Sequence, residues 1–204
     1  DLCKAVASLC VPYRTLEHSW SDTISLVDRD VYPIDDYPVG QWDYQLFYQE
    51  NLGRAIEVFE ADSYATVKAL FRKGDPNEVG RPYRSASVRS QGGWFGGADV
   101  APDLPVDHAV VTESDLRFYA AALDRNGFFG PDSWYLNHEA NETYAASAQN
   151  AGHLEMPVLF LHAKYDHVCQ TVTTNLAEPM REYCSDLTEF TLETGHWMAQ
   201  EAPL

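Results

Sequence analysis

The sequence has few basic residues and no long apolar run. Its 204 residues include 14 Lys and Arg against 31 Asp and Glu, which gives a formal net charge of −17. This charge argues against nucleic acid or an anionic membrane surface as a partner, because both would repel the chain. No apolar stretch approaches the roughly 18 residues that a membrane-spanning helix needs. The first residues show no basic and apolar leader, and we expect a cytoplasmic protein.

Cysteine is scarce, and the usual metal and phosphate patterns are missing. The four cysteines are Cys3, Cys10, Cys169 and Cys184, and none forms a C-x-x-C pair. Four are too few for a disulfide framework in a chain of this size, so we predict free and mostly buried thiols. The seven histidines show no ligand spacing, and the glycine-rich residues 92–97 are not followed by the Lys-Ser/Thr of a phosphate loop. The sequence therefore predicts no metal and no cofactor.

What the sequence does have is enough apolar residues, 45%, to form a sizeable core. Short apolar runs at residues 5–11, 157–162 and 187–192 predict three strands, the first two buried on both faces. The order of strand, helices, strand, helix and strand predicts an α/β fold with a parallel sheet and a helical insertion.

The insertion contains four predicted helices and one long loop. The helices are expected at residues 42–59, 64–72, 116–123 and 131–149, and residues 85–111 form the loop. Thr112 and Asp115 predict a capping box for the third helix, and Gly127 ends it. A loop of this length in a compact chain is usually functional.

An acid and a histidine follow the last two predicted strands. Asp166 comes after the second strand and His196 after the third. Parallel sheets carry functional groups beyond the carboxyl ends of their strands, where a carboxylate can orient an imidazole as a general base. Spacing alone leaves a second interpretation open, in which Asp166 caps a turn and His196 is an ordinary core histidine.

Two tyrosines of the helical insertion are also candidates for chemistry. Tyr44 lies in the aromatic run at residues 42–48, and Tyr135 follows Trp134. A phenol is a neutral donor for a developing alkoxide, and two phenols aimed at one point form an oxyanion site. Ordinary aromatic packing is the alternative that composition alone favours.

Together these pieces resemble the C-terminal two-thirds of a soluble epoxide hydrolase of the α/β-hydrolase superfamily, of a fungal-like kind. The resemblance rests on residues 5–9, 42–50 and 127–135, and on the groups around Asp166 and His196. These pieces follow the family's order along nearly the whole chain. The D-Y-Q piece and the G-x-x-G-P…W-Y piece are specific in combination, whereas G-H-W is common to many hydrolases.

The resemblance implies a role for each of these groups. Tyr44 and Tyr135 would hold and protonate the epoxide oxygen. His196 would activate the water that hydrolyses a covalent ester, and Asp166 would orient His196. The substrate would be a small or medium apolar epoxide, and no cofactor or metal would be needed.

The resemblance also implies a partial α/β-hydrolase fold with an inserted helical cap. Residues 1–39 and 151–204 would belong to the hydrolase core, and residues 40–150 would form the cap. Gln45 and Trp197 would line the substrate pocket.

One expected group is missing from the sequence. The family's nucleophile is an Asp on a strand–helix elbow, and no G-x-S-x-G or comparable elbow occurs. Asp1 stands where the helix after the elbow would end, so we expect the nucleophile upstream, in a missing N-terminal part or a complementing fragment. Another cap-bearing hydrolase, such as an esterase or a dehalogenase, and a non-catalytic binding protein remain alternatives. The oligomeric state is left open.

Overall fold

A three-stranded parallel sheet organises the chain in the computed structural model, which describes residues 3–15 and 19–203. The strands are β1 (Val6–Leu9), β2 (Val158–Ala163) and β3 (Leu187–Leu192), and β2 lies between the other two. Both strand pairs are parallel. The predicted α/β class and strand order are confirmed, and the carboxyl ends of all three strands lie at one edge of the sheet. Asp1 lies outside the described residues.

Eight α-helices accompany the sheet in the described part of the chain. They are α1 (Trp20–Ser25), α2 (Asp43–Glu60), α3 (Ser63–Leu70), α4 (Glu113–Asn126), α5 (Phe129–Ser133), α6 (His138–Ala146), α7 (Glu178–Tyr183) and α8 (Met198–Glu201). Helix α1 lies in a segment for which the sequence predicted no helix.

Strand β1 is exposed, although the sequence predicted a strand buried on both faces. Val6 keeps 36% and Leu9 40% of their accessible surface, and Phe190 of β3 keeps 59%. By contrast, Phe160 of the central strand is fully buried. The reason is that β1 and β3 are edge strands of a narrow sheet, and their faces lack covering layers in the described residues. Exposed apolar edges of this kind favour pairing with other polypeptide.

The predicted capping box of α4 is confirmed. The Thr112 hydroxyl accepts from the Asp115 amide at 3.2 Å, and the Asp115 carboxylate accepts from the Thr112 amide at 2.9 Å. Gly127 ends the helix at a φ of 72°, which a residue without Cβ adopts freely. Helix α3 starts one residue earlier than predicted, because the carboxylate of Asp62, and not Ser63, caps it.

One predicted helix is interrupted in the structure. The helix predicted at residues 131–149 is broken into α5, a 3₁₀ turn at Trp134–Leu136, and α6. Near the C-terminus, Pro179 lies in the first turn of α7. Pro is tolerated in a first turn because the amide that it lacks would have no helical partner there.

The loop at residues 85–111, which includes the glycine-rich residues 92–97, packs onto α2. A 3₁₀ turn at Arg84–Ser87 begins this segment, and the Trp94 indole donates to the Tyr48 hydroxyl at 2.9 Å. Trp94 and Phe95 of the loop border the aromatic core that contains Phe47. Side-chain contacts therefore hold the loop against α2.

All four cysteines are free, as predicted. Cys3 is exposed, and Cys10, Cys169 and Cys184 are buried. Among the described helices, none has the length and apolar character needed to cross a bilayer.

Candidate active site

The structure brings Asp166 and His196 together at the carboxyl edge of the sheet. The His196 Nδ1–H donates to Asp166 Oδ2 at 2.8 Å. The other carboxylate oxygen accepts the amides of Val168 and Cys169, each at 2.9 Å. Asp166 is 1% exposed, and these bonds fix its position. The pair has the orientation that leaves His196 Nε2 free to accept a proton.

The charge of Asp166 perturbs His196. Burial by itself lowers the pKa of His196, but the Asp166 charge and hydrogen bond, helped by the Cys10 thiol, hold this pKa well above its ordinary value. The carboxylate therefore stabilises the imidazolium that a general base becomes after accepting a proton.

A close backbone approach holds the His196 loop in place. A Cβ atom added to Gly195 would lie 2.6 Å from the Gly74 backbone, so this contact requires glycine on both sides. The Gly195 amide also donates to Glu201 Oε2 at 2.9 Å. The loop is thereby anchored both to the segment after α3 and to α8.

Tyr44 and Tyr135 meet within the helical segment. Tyr44 lies in the first turn of α2, and Tyr135 lies in the 3₁₀ turn Trp134–Leu136. Their ring centres are 5.1 Å apart at an interplanar angle of 80°. Burial raises the pKa of both phenols, most strongly at Tyr44, so both keep their protons at neutral pH. A neutral phenol in a partly dry site is a hydrogen-bond donor.

One cavity of about 450 Å³ joins these groups. Aromatic side chains dominate its wall, and its size suits a small ligand. The lining residues are Val11, Trp42, Tyr44, Tyr48, Leu70, Tyr83, Arg84, Trp94, Trp134, Tyr135, Val168, Cys169, His196 and Trp197. Tyr135 and His196 are 91 and 152 positions from Tyr44 along the sequence, yet all three side chains face the same space.

Trp197 lines this cavity, as the resemblance implied. Its ring stacks on Phe71 with centres 4.0 Å apart, and its indole donates to the Leu70 carbonyl at 3.0 Å. These contacts fix the ring beside His196, at a centre-to-centre distance of 5.3 Å.

Gln45 differs from the expectation, because it does not line the cavity. It is 1% exposed, and its Nε2 donates to the Tyr44 hydroxyl at 3.1 Å, from behind. Its Oε1 has no partner in the described part of the chain. Gln45 therefore contacts the phenol and not the cavity.

Several wall residues carry little signal in the sequence. Trp42 and Tyr48 belong to the aromatic run at residues 42–48, which indicated packing. Arg84 and Cys169 lie in segments without a recognisable motif. Helical spacing from Tyr44 to Tyr48 is the one signal that indicates a shared face.

One group of side chains has the composition of a metal site. The Cys10 thiol, an Asp166 oxygen and a His196 nitrogen lie within 4.8 Å of one another. Asp166 and His196 are already bonded to each other, and the Cys10 thiol faces the His196 carbonyl at 3.6 Å. These groups satisfy one another, and we assign no ion to them.

This chain is an α/β protein. Its parallel sheet has an acid and a histidine beyond neighbouring strands, and a helical segment is inserted between the strands. The fold matches part of the epoxide hydrolase structures. Epoxide Hydrolase A from Mycobacterium thermoresistibile superimposes with a TM-score of 0.69 at 24% identity, over 100% of this chain and 59% of that one. A Vigna radiata epoxide hydrolase mutant gives 0.62 at 21% identity, over 98% of this chain and 58% of the other.

Sequence comparison finds similarity to proteins named as epoxide hydrolases. It is 28% identical to "Bifunctional epoxide hydrolase 2" of Sus scrofa over 201 residues, which are 98% of this chain and 32% of that protein. It is 35% identical to "Epoxide hydrolase B" of Mycobacterium tuberculosis over 94 residues, 45% of this chain and 26% of that protein. The chain spans about a third of the length of the mammalian relative. No family model matches. The named relatives are mammalian and mycobacterial, and they do not support the fungal-like kind.

Proposed function

We propose that this chain provides the cap and the water-activating part of an epoxide hydrolase, which converts an epoxide to a vicinal diol through a covalent ester. The observation that carries the proposal is the single cavity lined by Tyr44, Tyr135 and His196. Residues 40–150 act as the cap, and the sheet segments on either side act as the catalytic core.

The first half-reaction uses the two phenols. A carboxylate oxygen attacks an epoxide carbon, the carbon–oxygen bond breaks, and its electron pair goes to the epoxide oxygen. A proton from Tyr44 or Tyr135 neutralises this oxygen and leaves a hydroxyalkyl ester. Oxyanion donors of this kind contribute on the order of 10²–10³-fold each. The raised pKa values of both phenols keep the donors protonated before attack.

The second half-reaction uses His196. Its Nε2 takes a proton from a water molecule, whose oxygen attacks the ester carbonyl carbon. The ester then breaks: the imidazolium returns its proton to the leaving alkoxide to give the diol, and the proton left on the carboxylic acid restores the phenol, which frees the carboxylate. Because Asp166 raises the pKa of His196, the neutral base is more abundant above neutral pH. Ester hydrolysis therefore speeds up as the pH rises beyond the ordinary histidine range.

The attacking carboxylate comes from outside the described residues in this proposal. No carboxylate among the described residues lines the cavity, and Asp166 is occupied by His196 and two backbone amides. The exposed edge strand β1 offers backbone groups to which such a polypeptide segment could pair.

The test uses this chain produced together with the part of the Mycobacterium thermoresistibile enzyme that it does not match. Diol formation from styrene oxide is expected, and Tyr44→Phe combined with Tyr135→Phe abolishes it. His196→Gln accumulates the ester, which appears as a mass increase equal to the epoxide. An assembled complex that binds styrene oxide and gives neither diol nor ester would overturn the proposal.

The rivals make different predictions in the same experiment. An esterase or a dehalogenase turns over an ester or an alkyl halide from a substrate panel and ignores the epoxide. A non-catalytic binding protein, which the carboxylate-free cavity wall favours among the alternatives, binds ligands without turning over any of them.

A further inference from the structure

Arg84 is a cation without an acidic partner in the wall of the cavity. The chain has 31 acidic residues for 14 basic ones, and seven of its Lys and Arg side chains form ion pairs among the described residues. Arg84 nevertheless forms no ion pair with any described residue, and its one hydrogen bond within the described chain goes from Nη2 to the Ala69 carbonyl at a long 3.3 Å. Its Nε is buried and has no acceptor among the described residues. A guanidinium offers five N–H donors, so most of its capacity is unused.

The aromatic surroundings place this charge in a defined position. Its Cζ lies 5.6 Å from the centre of the Tyr83 ring and 5.7 Å from that of Trp94, distances typical of cation–π contacts. Both rings also line the cavity. The guanidinium is therefore held by ring faces, which orient it without neutralising its charge.

Arg84 belongs to the wall of the cavity that Tyr44 and His196 line, and this wall is rich in hydrogen-bond donors and has no anionic group among the described residues. The cavity lining contains phenols, indoles and one imidazole, and no carboxylate of the described residues. The Trp42 indole Nε1 is a second buried donor without an acceptor in the described part of the chain. A cation whose Nε is buried without an acceptor raises the free energy of the empty site unless an anion approaches it.

Arg84 also borders a second, more polar cavity of about 280 Å³, which shares His196 and Trp197 with the first. Asp75, Glu78 and Asp166 line this second cavity. None of these carboxylates forms an ion pair with Arg84: Glu78 pairs with Arg81 at 3.6 Å, and Asp166 is bonded to His196 at 2.8 Å. The charge of Arg84 is therefore left for a ligand.

The distance from Arg84 to the Tyr44 ring limits the length of the ligand. Trp94 contacts both, because its ring centre is 5.5 Å from that of Tyr44 and 5.7 Å from the Arg84 Cζ. Arg84 is thus no more than about 11 Å from the Tyr44 ring. An anionic group held by Arg84 and a reacting group held by Tyr44 belong to one short molecule.

We propose that Arg84 forms an anion subsite of this cavity and that the ligand is a small epoxide that carries a carboxylate close to the ring, a short epoxy acid. The epoxide part of this inference rests on the proposed function, whereas the anionic part rests on Arg84 alone. The apolar, uncharged epoxide expected from the sequence would leave the guanidinium without a partner.

The test measures binding to the chain as it is, so it needs no turnover. The ligands are 3-phenylglycidate and 3-phenylglycidamide, which have the same shape and differ in charge. Binding is followed at low ionic strength by the fluorescence of the cavity tryptophans. The acid is expected to bind at least about tenfold more tightly than the amide, which corresponds to about 1.4 kcal/mol, and added salt weakens only the acid.

Three variants separate Arg84 from general charge effects. Arg84→Gln removes the preference by weakening the binding of the acid, and continued binding of the amide reports that the cavity is intact. Arg84→Lys keeps part of the preference, because a cation remains without the planar fork. Arg81→Gln is the matched control: it removes one positive charge from an exposed side chain and keeps the preference.

Equal affinity of the wild-type chain for acid and amide would overturn the inference, and so would a preference that survives Arg84→Gln. If Arg84→Gln does not fold, an acid affinity that is independent of salt in the wild type and in Arg84→Lys overturns it as well. Failure of the proposed function is a separate result, because it appears as absent diol formation from styrene oxide, which has no charge.

Discussion

Replacing Asp132 with Asn tests how strongly a buried carboxyl group in the helical segment links stability to pH. Asp132 lies in α5, is 3% exposed, and its Oδ2 has no hydrogen-bond partner in the described residues. Burial, helped by the nearby charge of Glu60, raises its pKa from 3.8 to about 7. Ionisation is therefore much less favourable in the folded chain than in the unfolded one.

The sign and size of the effect follow from these two pKa values. Between pH 4 and pH 7 the folded chain holds a proton on Asp132 that the unfolded chain has lost. The free energy of unfolding therefore falls by about 1.4 kcal/mol per pH unit in this window, and it levels off above it. From pH 5 to pH 8 the loss due to Asp132 is about 2.5 kcal/mol.

The assay is urea unfolding followed by tryptophan fluorescence at pH 5 and pH 8. Asp132→Asn cannot ionise, so its stability relative to the wild type should increase by about 2.5 kcal/mol between the two pH values. The absolute difference at one pH is less informative, because the new amide also needs partners. Asp124→Asn, on the exposed face of α4, serves as the control and should show no such increase. Equal differences at pH 5 and pH 8 for Asp132→Asn would refute the reasoning.

Three further predictions concern the candidate site and the helix cap. Asp166→Asn lowers the pKa of His196 toward its ordinary value, because it removes the charge that raises it; an NMR titration of the imidazole checks this, and an unchanged pKa would contradict it. Gln45→Leu raises the pKa of Tyr44 further, because the hydrogen bond from Gln45 lowers this pKa, and a titration of phenolate absorbance should show the increase. In the assembled enzyme of the proposed function, kcat should fall by about tenfold with little change in KM. Thr112→Ala costs about 1 kcal/mol of stability in urea unfolding, because the capping box of α4 is lost, and Thr112→Ser should restore most of it.

The distribution of exposed apolar surface explains why the strands were only partly predictable. An apolar run with β-branched residues predicts a strand, and all three strands lie where such runs occur. The same pattern cannot say whether a strand is central or at an edge. Only β2 has a neighbour on each side among the described strands, so only β2 is buried as the run predicted.

The helical segment shows the same division. Thr112, Asp115 and Gly127 define the two ends of α4 through contacts a few residues apart, and they were readable directly. The break after α5 was not, because Tyr135 is placed by ring contacts with Tyr44 and Tyr48 of α2, far away in sequence. Tertiary packing overrides local helix preference at such positions.

The sequence by itself determined the α/β order, the α4 cap, and an acid and a histidine beyond neighbouring strands. These features depend on residue type, on period, and on the rule that parallel strands end at one edge. The tertiary structure decided that two phenols and His196 share a cavity, that Gln45 lies behind Tyr44, and that Arg84 has no acid beside it in the described chain. These facts depend on distances and burial between segments up to about 150 residues apart, and a linear pattern contains neither.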